Sequence, residues 1–225
     1  IRFKQNKKIY SDVLDVKGLS KKYDDLVVLN KINFSIEVGE RIAVLGPNGI
    51  GKSTLLNCIV DEQKKDSGKI NWSLNANIGF FAQDEDENID SELTLIDWMS
   101  QWTDTIDSEL EIRSILGRLL FSKDNINKSI KILSGGEKRR MLFGKLILQN
   151  PNIIVMDEPT NHLDIESIES LNSALSQYEG TLIFASHDRE FISSLATRIF
   201  ELKDGKMIDH TNINNNFLDT LNINN

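Results

Sequence analysis

Residues Gly46 to Thr54 read Gly-Pro-Asn-Gly-Ile-Gly-Lys-Ser-Thr, a spacing of glycines ahead of a lysine and two hydroxyls that suits the holding of phosphate. Gly46, Gly49 and Gly51 let the backbone curl around Asn48 so that successive N–H groups face phosphate oxygens. The helix that follows adds its positive N-terminal end. Lys52 then reaches the β- and γ-phosphates, and the Ser53 hydroxyl, with Thr54 beside it, is placed to ligate Mg²⁺.

Three further places carry groups of the same chemistry. Asp157 and Glu158 follow the apolar run 153–156, so the first is placed to help hold a metal and the second to polarise an attacking water. His187 follows another apolar run, 181–185. A single histidine is more often an ordinary hydrogen-bonded group, but its place after a strand puts it at the same sheet end, within reach of a γ-phosphate. Ser134 and Glu137 have capping-box spacing, and a bare Ser-x-x-Glu is a structural helix start. Gly135 and Gly136 between them point instead to a second anion-binding end, since a cap needs no stripped residues there. Tyr23 precedes the loop glycines by some twenty residues, and from spacing alone it reads either as packing or as a ring for a nucleotide base.

These groups need a scaffold, and the hydrophobic periods supply one. Val13 to Val16 reads as a strand, and Ile32, Phe34, Ile36 and Val38 alternate with polar residues as in a half-buried antiparallel strand. The run 42–45 enters the glycine loop as a strand, and Leu55, Leu56 and Ile59 leave it at helical spacing. Ile70 with Trp72 and the run 78–82, ending at Gln83, read as short strands; the acids Asp84, Glu85, Asp86, Glu87 and Asp90 then read as a solvated loop. From Thr94 the period becomes helical. Leu95, Trp98, Met99 and Trp102, then Ile112, Ile115, Leu116, Leu119 and Leu120, form an inserted helical block, with Thr94 and Asp97 at its capped start. After Asp164 a helix turns Ile168, Leu171 and Leu175 inward, and 199–208 reads as a hairpin around Asp204-Gly205. Phe217, Leu218 and Leu221 fit one docked helical turn in an asparagine-rich tail.

At 225 residues the chain suits one large domain with an insertion. Its net charge of -8 argues against nonspecific nucleic-acid binding by the surface as a whole. The opening segment is locally basic, with Arg2, Lys4, Lys7 and Lys8. No apolar stretch approaches the ~18 residues of a membrane span. The single cysteine, Cys58, lies on an apolar helix face as a buried thiol, which fits a reducing cytosol. The absence of an initiator Met leads us to expect a fragment of something longer.

With these pieces in view, the chain from about Val13 onward resembles the nucleotide-binding domain of the ABC ATPases. Tyr23 matches the aromatic loop, Gly46 to Ser53 the Walker A loop, Gln83 the Q-loop, and Leu133 to Glu137 the signature. Ile153 to Glu158 matches the Walker B strand with its catalytic glutamate, Leu163-Asp164 the D-loop, and His187 the switch histidine. The stretch Glu158-Pro159-Thr160-Asn161-His162-Leu163-Asp164 looks like the hallmark of the ABC-F subfamily, soluble tandem-ABC proteins of which many act at the ribosome. Residues 97–102 and 113–121 look like the YbiT-like branch of that subfamily, in its second ABC domain.

The resemblance implies an α/β fold: an ABC-type P-loop domain with a RecA-like parallel-sheet core, an antiparallel β-subdomain and an inserted α-helical subdomain at about 92–148. Residues 1–12 would end an interdomain linker, and 13–225 would form the domain. ATP and Mg²⁺ would be the cofactors. Tyr23, Gly46, Asn48, Gly49, Gly51, Lys52, Ser53 and Thr54 would bind ATP, Ser53, Gln83 and Asp157 the metal, and Glu158 and His187 would be catalytic. Ser134, Gly135, Gly136 and Glu137 would act in trans, on the nucleotide of a partner: the first ABC domain of the same parent chain, or a second copy of this one. The implied setting is cytoplasmic, with the ribosome as partner and no membrane. The chain departs from that parent in having one loop and one signature, and its tail matches no motif. The competing readings are the ATPase subunit of a membrane transporter, which shares every catalytic motif, and a nonhydrolytic ATP sensor, against which Glu158 and His187 stand.

Overall fold

A computed structural model describes residues 11–85, 89, 91–103, 108–122 and 124–211. The basic residues of the opening segment, the acids Asp86, Glu87 and Asp90, and the apolar residues expected to dock the tail lie outside them.

Strands β1 (Asp12–Tyr23), β2 (Leu26–Glu37) and β4 (Ser67–Trp72) form an antiparallel sheet in the order β2-β1-β4. On β2 the alternation is as expected, with Ile32, Phe34 and Ile36 buried and Asn33, Ser35 and Glu37 exposed. Val38 departs from it. The strand ends at Glu37, the chain turns at Gly39 (φ 80°), and Val38 is left 42% exposed at the turn.

The second sheet takes β5 (Ile78–Phe81), β6 (Ile153–Asp157), β7 (Thr181–Ala185), β3 (Arg41–Leu45), β8 (Arg198–Lys203) and β9 (Lys206–His210), in that order across the sheet. All neighbours are parallel except the closing hairpin β8–β9. A strand covered on both faces reads as an unbroken apolar run, and β3, β6 and β7 show why. Ala43, Leu45, Ile154, Met156, Leu182 and Phe184 face one core, and Ile42, Val44, Ile153, Val155, Ile183 and Ala185 the other. The second core is closed by the antiparallel sheet and by α1 (Lys52–Ile59), on which Cys58 is buried.

The first core is closed by the inserted helices α2 (Leu95–Ser100), α3 (Ser108–Arg118) and α4 (Gly135–Gln149), and by α5 (Ile165–Ser176) and α6 (Arg189–Leu195). Thr94 caps α2 through the Asp97 amide (3.2 Å). Two helical expectations overreach. Amides 101 and 102 bond three residues back, to Trp98 (3.3 Å) and Met99 (3.1 Å), which closes α2 before Trp102; the two indoles still meet edge to face at 5.7 Å. Leu120 lies beyond the end of α3 at φ 65° and is 44% exposed, whereas Ile112, Ile115, Leu116 and Leu119 are buried. No described helix is long and apolar enough to cross a membrane.

The block is tied to the sheet at β5, where Phe143 of α4 stacks on Phe81 with centroids 4.6 Å apart and planes 8° from parallel. Phe143→Ala removes both the ring and that contact. It should lower the unfolding free energy by about 3–5 kcal/mol in urea titration; a loss below about 1 kcal/mol would show that α4 does not dock through this ring.

Candidate active site

The carboxyl ends of parallel strands are where loops from several strands converge, and β3, β6 and β7 deliver their polar residues there. One cleft of about 520 Å³ is lined by Tyr23, Asn48, Gly49, Gly51, Lys52, Ser53, Thr54, Gln83, Asp157, Glu158 and His187, together with Leu26, Val28 and Asn161. Every ligand and catalytic residue expected from the sequence lines it except Gly46, which stands at the loop's entry. Ser134, Gly135, Gly136 and Glu137 do not line it.

The loop is shaped by contact as much as by conformation. Gly51 caps α1 at φ 117°, and a Cβ there would meet Val28 Cγ1 at 2.4 Å, so any side chain would be both strained and obstructed. Because Gly51 makes no side-chain cap, the first amides of α1 remain open towards the cleft. Lys52 is buried, with Nζ donating to the carbonyls of Gly46 (2.7 Å) and Pro47 (3.2 Å). Burial pulls its ammonium pKa down, opposed by the charges of Glu158 and Asp157.

Asp157 ends β6, 1% exposed, and Glu158 follows it, 4% exposed, at φ 47°. A left-handed glutamate is strained backbone, held here by its amide bond to the Ala185 carbonyl (2.9 Å). Burial pushes the Asp157 carboxyl above the ordinary range, opposed by the Ser53 hydroxyl and the Lys52 charge. Glu158 is likewise raised by burial, opposed by His187 and then Lys52. His187 holds that carboxylate through its amide to Oε2 (3.2 Å), and its ring Nε2 lies 2.9 Å from Oε1. The ring approach lacks hydrogen-bond alignment, and Asp157 Oδ1 and Glu158 Oε1 are both buried without a hydrogen-bond partner. His187 lines the cleft with the loop residues, and its ring meets Glu158.

Ser53 Oγ donates to Gln83 Oε1 (3.4 Å) and lies beside Asp157. An alcohol, an amide oxygen and a carboxylate are the hard oxygen donors that Mg²⁺ takes, and the orphaned Asp157 Oδ1 wants a cation. These residues fit the ion.

Sequence reasoning missed Arg139. It is fully buried on α4, donating to the carbonyls of Gln83 (Nη1, 2.9 Å), Pro159 (Nε, 3.4 Å) and Glu158 (Nη2), with its guanidinium 4.7 Å from the Phe81 ring centroid. It thereby ties the Gln83 loop and the Glu158 loop to the helix that begins at Ser134. The signal was present: Arg139, Leu142, Phe143 and Leu146 share one buried helix face.

The capping box at that helix start forms in full, Glu137 amide to Ser134 Oγ (3.3 Å) and Ser134 amide to Glu137 Oε2 (2.9 Å). Gly136 has a packing reason that the sequence did not suggest. A Cβ there would lie 2.8 Å from the His162 carbonyl, so a bare residue lets the 159–162 turn approach α4.

Since burial raises the native Asp157 pKa above its unfolded value, the native state holds the proton more tightly, and stability falls as pH rises through the window above the ordinary carboxylate range. Asp157→Asn removes that penalty. In the absence of nucleotide it should raise the urea midpoint at pH 7, and the gain should shrink as the pH drops towards about 4. A midpoint at or below wild type at pH 7 would contradict this.

A family model described as ABC transporter matches residues 29–161. The chain is 58% identical over 209 residues to the "Probable ATP-binding protein YbiT" of Escherichia coli O157:H7, covering 93% of this chain and 39% of that protein. It is 38% identical over 220 residues to "ABC transporter F family member 5" of Arabidopsis thaliana, covering 97% of this chain and 32% of that protein. The chain thus spans about two fifths or less of these relatives. Among solved structures it is similar to the ATP-binding cassette MJ0796 in a dimeric post-hydrolysis state bound to ADP and Pi, with a TM-score of 0.76 at 23% identity over 89% of this chain and 99% of that one. That likeness is one of fold. The chain belongs to the ABC ATPases, and within them it is an ATP-binding domain of the ABC-F type.

Proposed function

We propose that the chain is the second ATP-hydrolysing domain of a tandem ABC-F protein that works in the cytoplasm as an ATP-gated, ribosome-binding translation factor. The observation that carries the ATPase part is the convergence in one cleft of Lys52, Ser53, Gln83, Asp157, Glu158 and His187. The loop amides and the N-terminal end of α1 take the phosphates, and Lys52 exchanges the carbonyls of Gly46 and Pro47 for phosphate oxygens. Glu158, made more basic by burial and aimed by His187, accepts a proton from the water that attacks the γ-phosphorus. The bond from that phosphorus to the β–γ bridging oxygen breaks, leaving ADP and phosphate. Ser53, Gln83 and Asp157 would hold Mg²⁺, which would supply positive charge to offset that of the phosphates.

The separation of Ser134 and its glycines from the cleft supports a head-to-tail pair in which each signature completes the other domain's site. The partner domain is the first ABC domain of the same protein, or a second copy of this one. ATP closes the pair and hydrolysis reopens it. The ribosome reading rests on the ABC-F kinship and on the stretch Glu158 to Asp164; the net charge of -8 does not add to it.

Lys52→Ala should abolish ATP binding in calorimetry, and unchanged affinity would refute the site. Glu158→Gln should keep ATP affinity within about threefold and lower turnover by two orders of magnitude or more. Sedimented with ribosomes, the tandem protein carrying Glu158→Gln and its counterpart should pellet in ATP and not in ADP. Absence from the pellet in both, with nucleotide binding intact, would overturn the translation reading, and copurification with a membrane protein would replace it with a transporter subunit.

A further inference from the structure

Tyr23 is 41% exposed at the end of β1, so packing alone does not fix its ring. Its hydroxyl does. Gln63, in the loop after α1, donates from Nε2 to Tyr23 Oη. The phenol oxygen also shares a hydrogen bond with Thr54 Oγ1, 3.3 Å away. Gln63 is itself anchored, since its amide and that of Glu62 both bond the Asn57 carbonyl (3.2 and 3.0 Å), closing the loop onto α1. The Lys21 ammonium lies over the ring 5.4 Å from its centroid, and it is held there by Asp66 at 3.3 Å. Asp66 in turn accepts from the Lys22 amide (2.7 Å). The ring is therefore tethered at its tip and backed by a cation, while Tyr23 also lines the cleft.

We propose that Gln63 is a positioning residue for nucleotide selection: by tethering the Tyr23 hydroxyl it pre-sets the ring on which the base stacks. This rests on the ATP reading of the cleft. A freely rotating ring must be immobilised when a base stacks on it, whereas a tethered ring loses little freedom, so the tether favours ligands that carry a base. Gln63 does not line the cleft and acts only through Tyr23. Phosphate binding is untouched by it, because Lys52 and the loop glycines line the cleft without Gln63.

Binding of ATP and of inorganic tripolyphosphate, each with Mg²⁺, is measured by calorimetry for wild type, Gln63→Ala, Tyr23→Phe and the double variant, with Lys52→Ala as reference. Each single variant should raise the ATP Kd about three- to tenfold, the worth of one hydrogen bond. The double variant should be no weaker than either single, and the tripolyphosphate Kd should stay within about twofold of wild type in all three. Unchanged ATP affinity in Gln63→Ala, or an equal loss for both ligands, would overturn the proposal while Lys52→Ala, weakening both, upholds the cleft. Lys52→Ala without effect on either ligand would overturn the ATP reading and this proposal with it.

Discussion

Asp157 and Glu158 are carboxylates withdrawn from water by the strand that positions them, and the surrounding structure follows from that constraint. A carboxylate at the carboxyl end of a buried parallel strand is costly unless donors or cations meet it. The protein meets these two only in part. Lys52, Ser53 and His187 each approach, yet one oxygen of each carboxylate stays without a hydrogen-bond partner and both groups are pushed towards the neutral form. An incomplete shell of this kind leaves room for a ligand to supply what is missing. The left-handed backbone at Glu158 has the same sense, being strain held in place by the β7 loop and aimed at the cleft.

The same constraint explains why the inserted helices matter to a site they do not line. The loops that carry Gln83 and Glu158 expose backbone carbonyls towards the interior, and Arg139 gathers them onto α4. The start of α4 is pinned from the other side by the approach of the His162 carbonyl over Gly136. One helix thus touches the Gln83 loop, the Glu158 loop and the turn after it, through a guanidinium and a missing side chain. Arg139 therefore joins α4 to the backbone on which Gln83 and Glu158 stand.

Much of this was legible in the residues. The glycine loop, the paired carboxylates after an apolar run, and the histidine after another each declare strand-end chemistry locally, because a buried strand and the residue that follows it are adjacent in sequence. The Ser134 cap and the Thr94 cap are likewise three-residue events. Period ran too far at Val38, Trp102 and Leu120, where a positive-φ turn or three-residue hydrogen bonds stopped an element that hydrophobicity alone would continue. Arg139 was hidden for a different reason: a charged residue on a helix is ordinarily solvated, and its burial is made tolerable by partners that include carbonyls 56 and 19 residues away.

The sequence by itself determined which groups carry the chemistry and on what kind of element each stands, since capping, periodicity and loop conformation are set within a few residues. Tertiary structure decided what those groups touch: that His187 meets Glu158, that Gly136 is bare for the His162 carbonyl, and that Tyr23 is tied by Gln63, forty residues away. Such contacts depend on how sheets and helices stack around two cores. That arrangement is fixed by the sum of all buried surfaces, and no local window of the chain contains it.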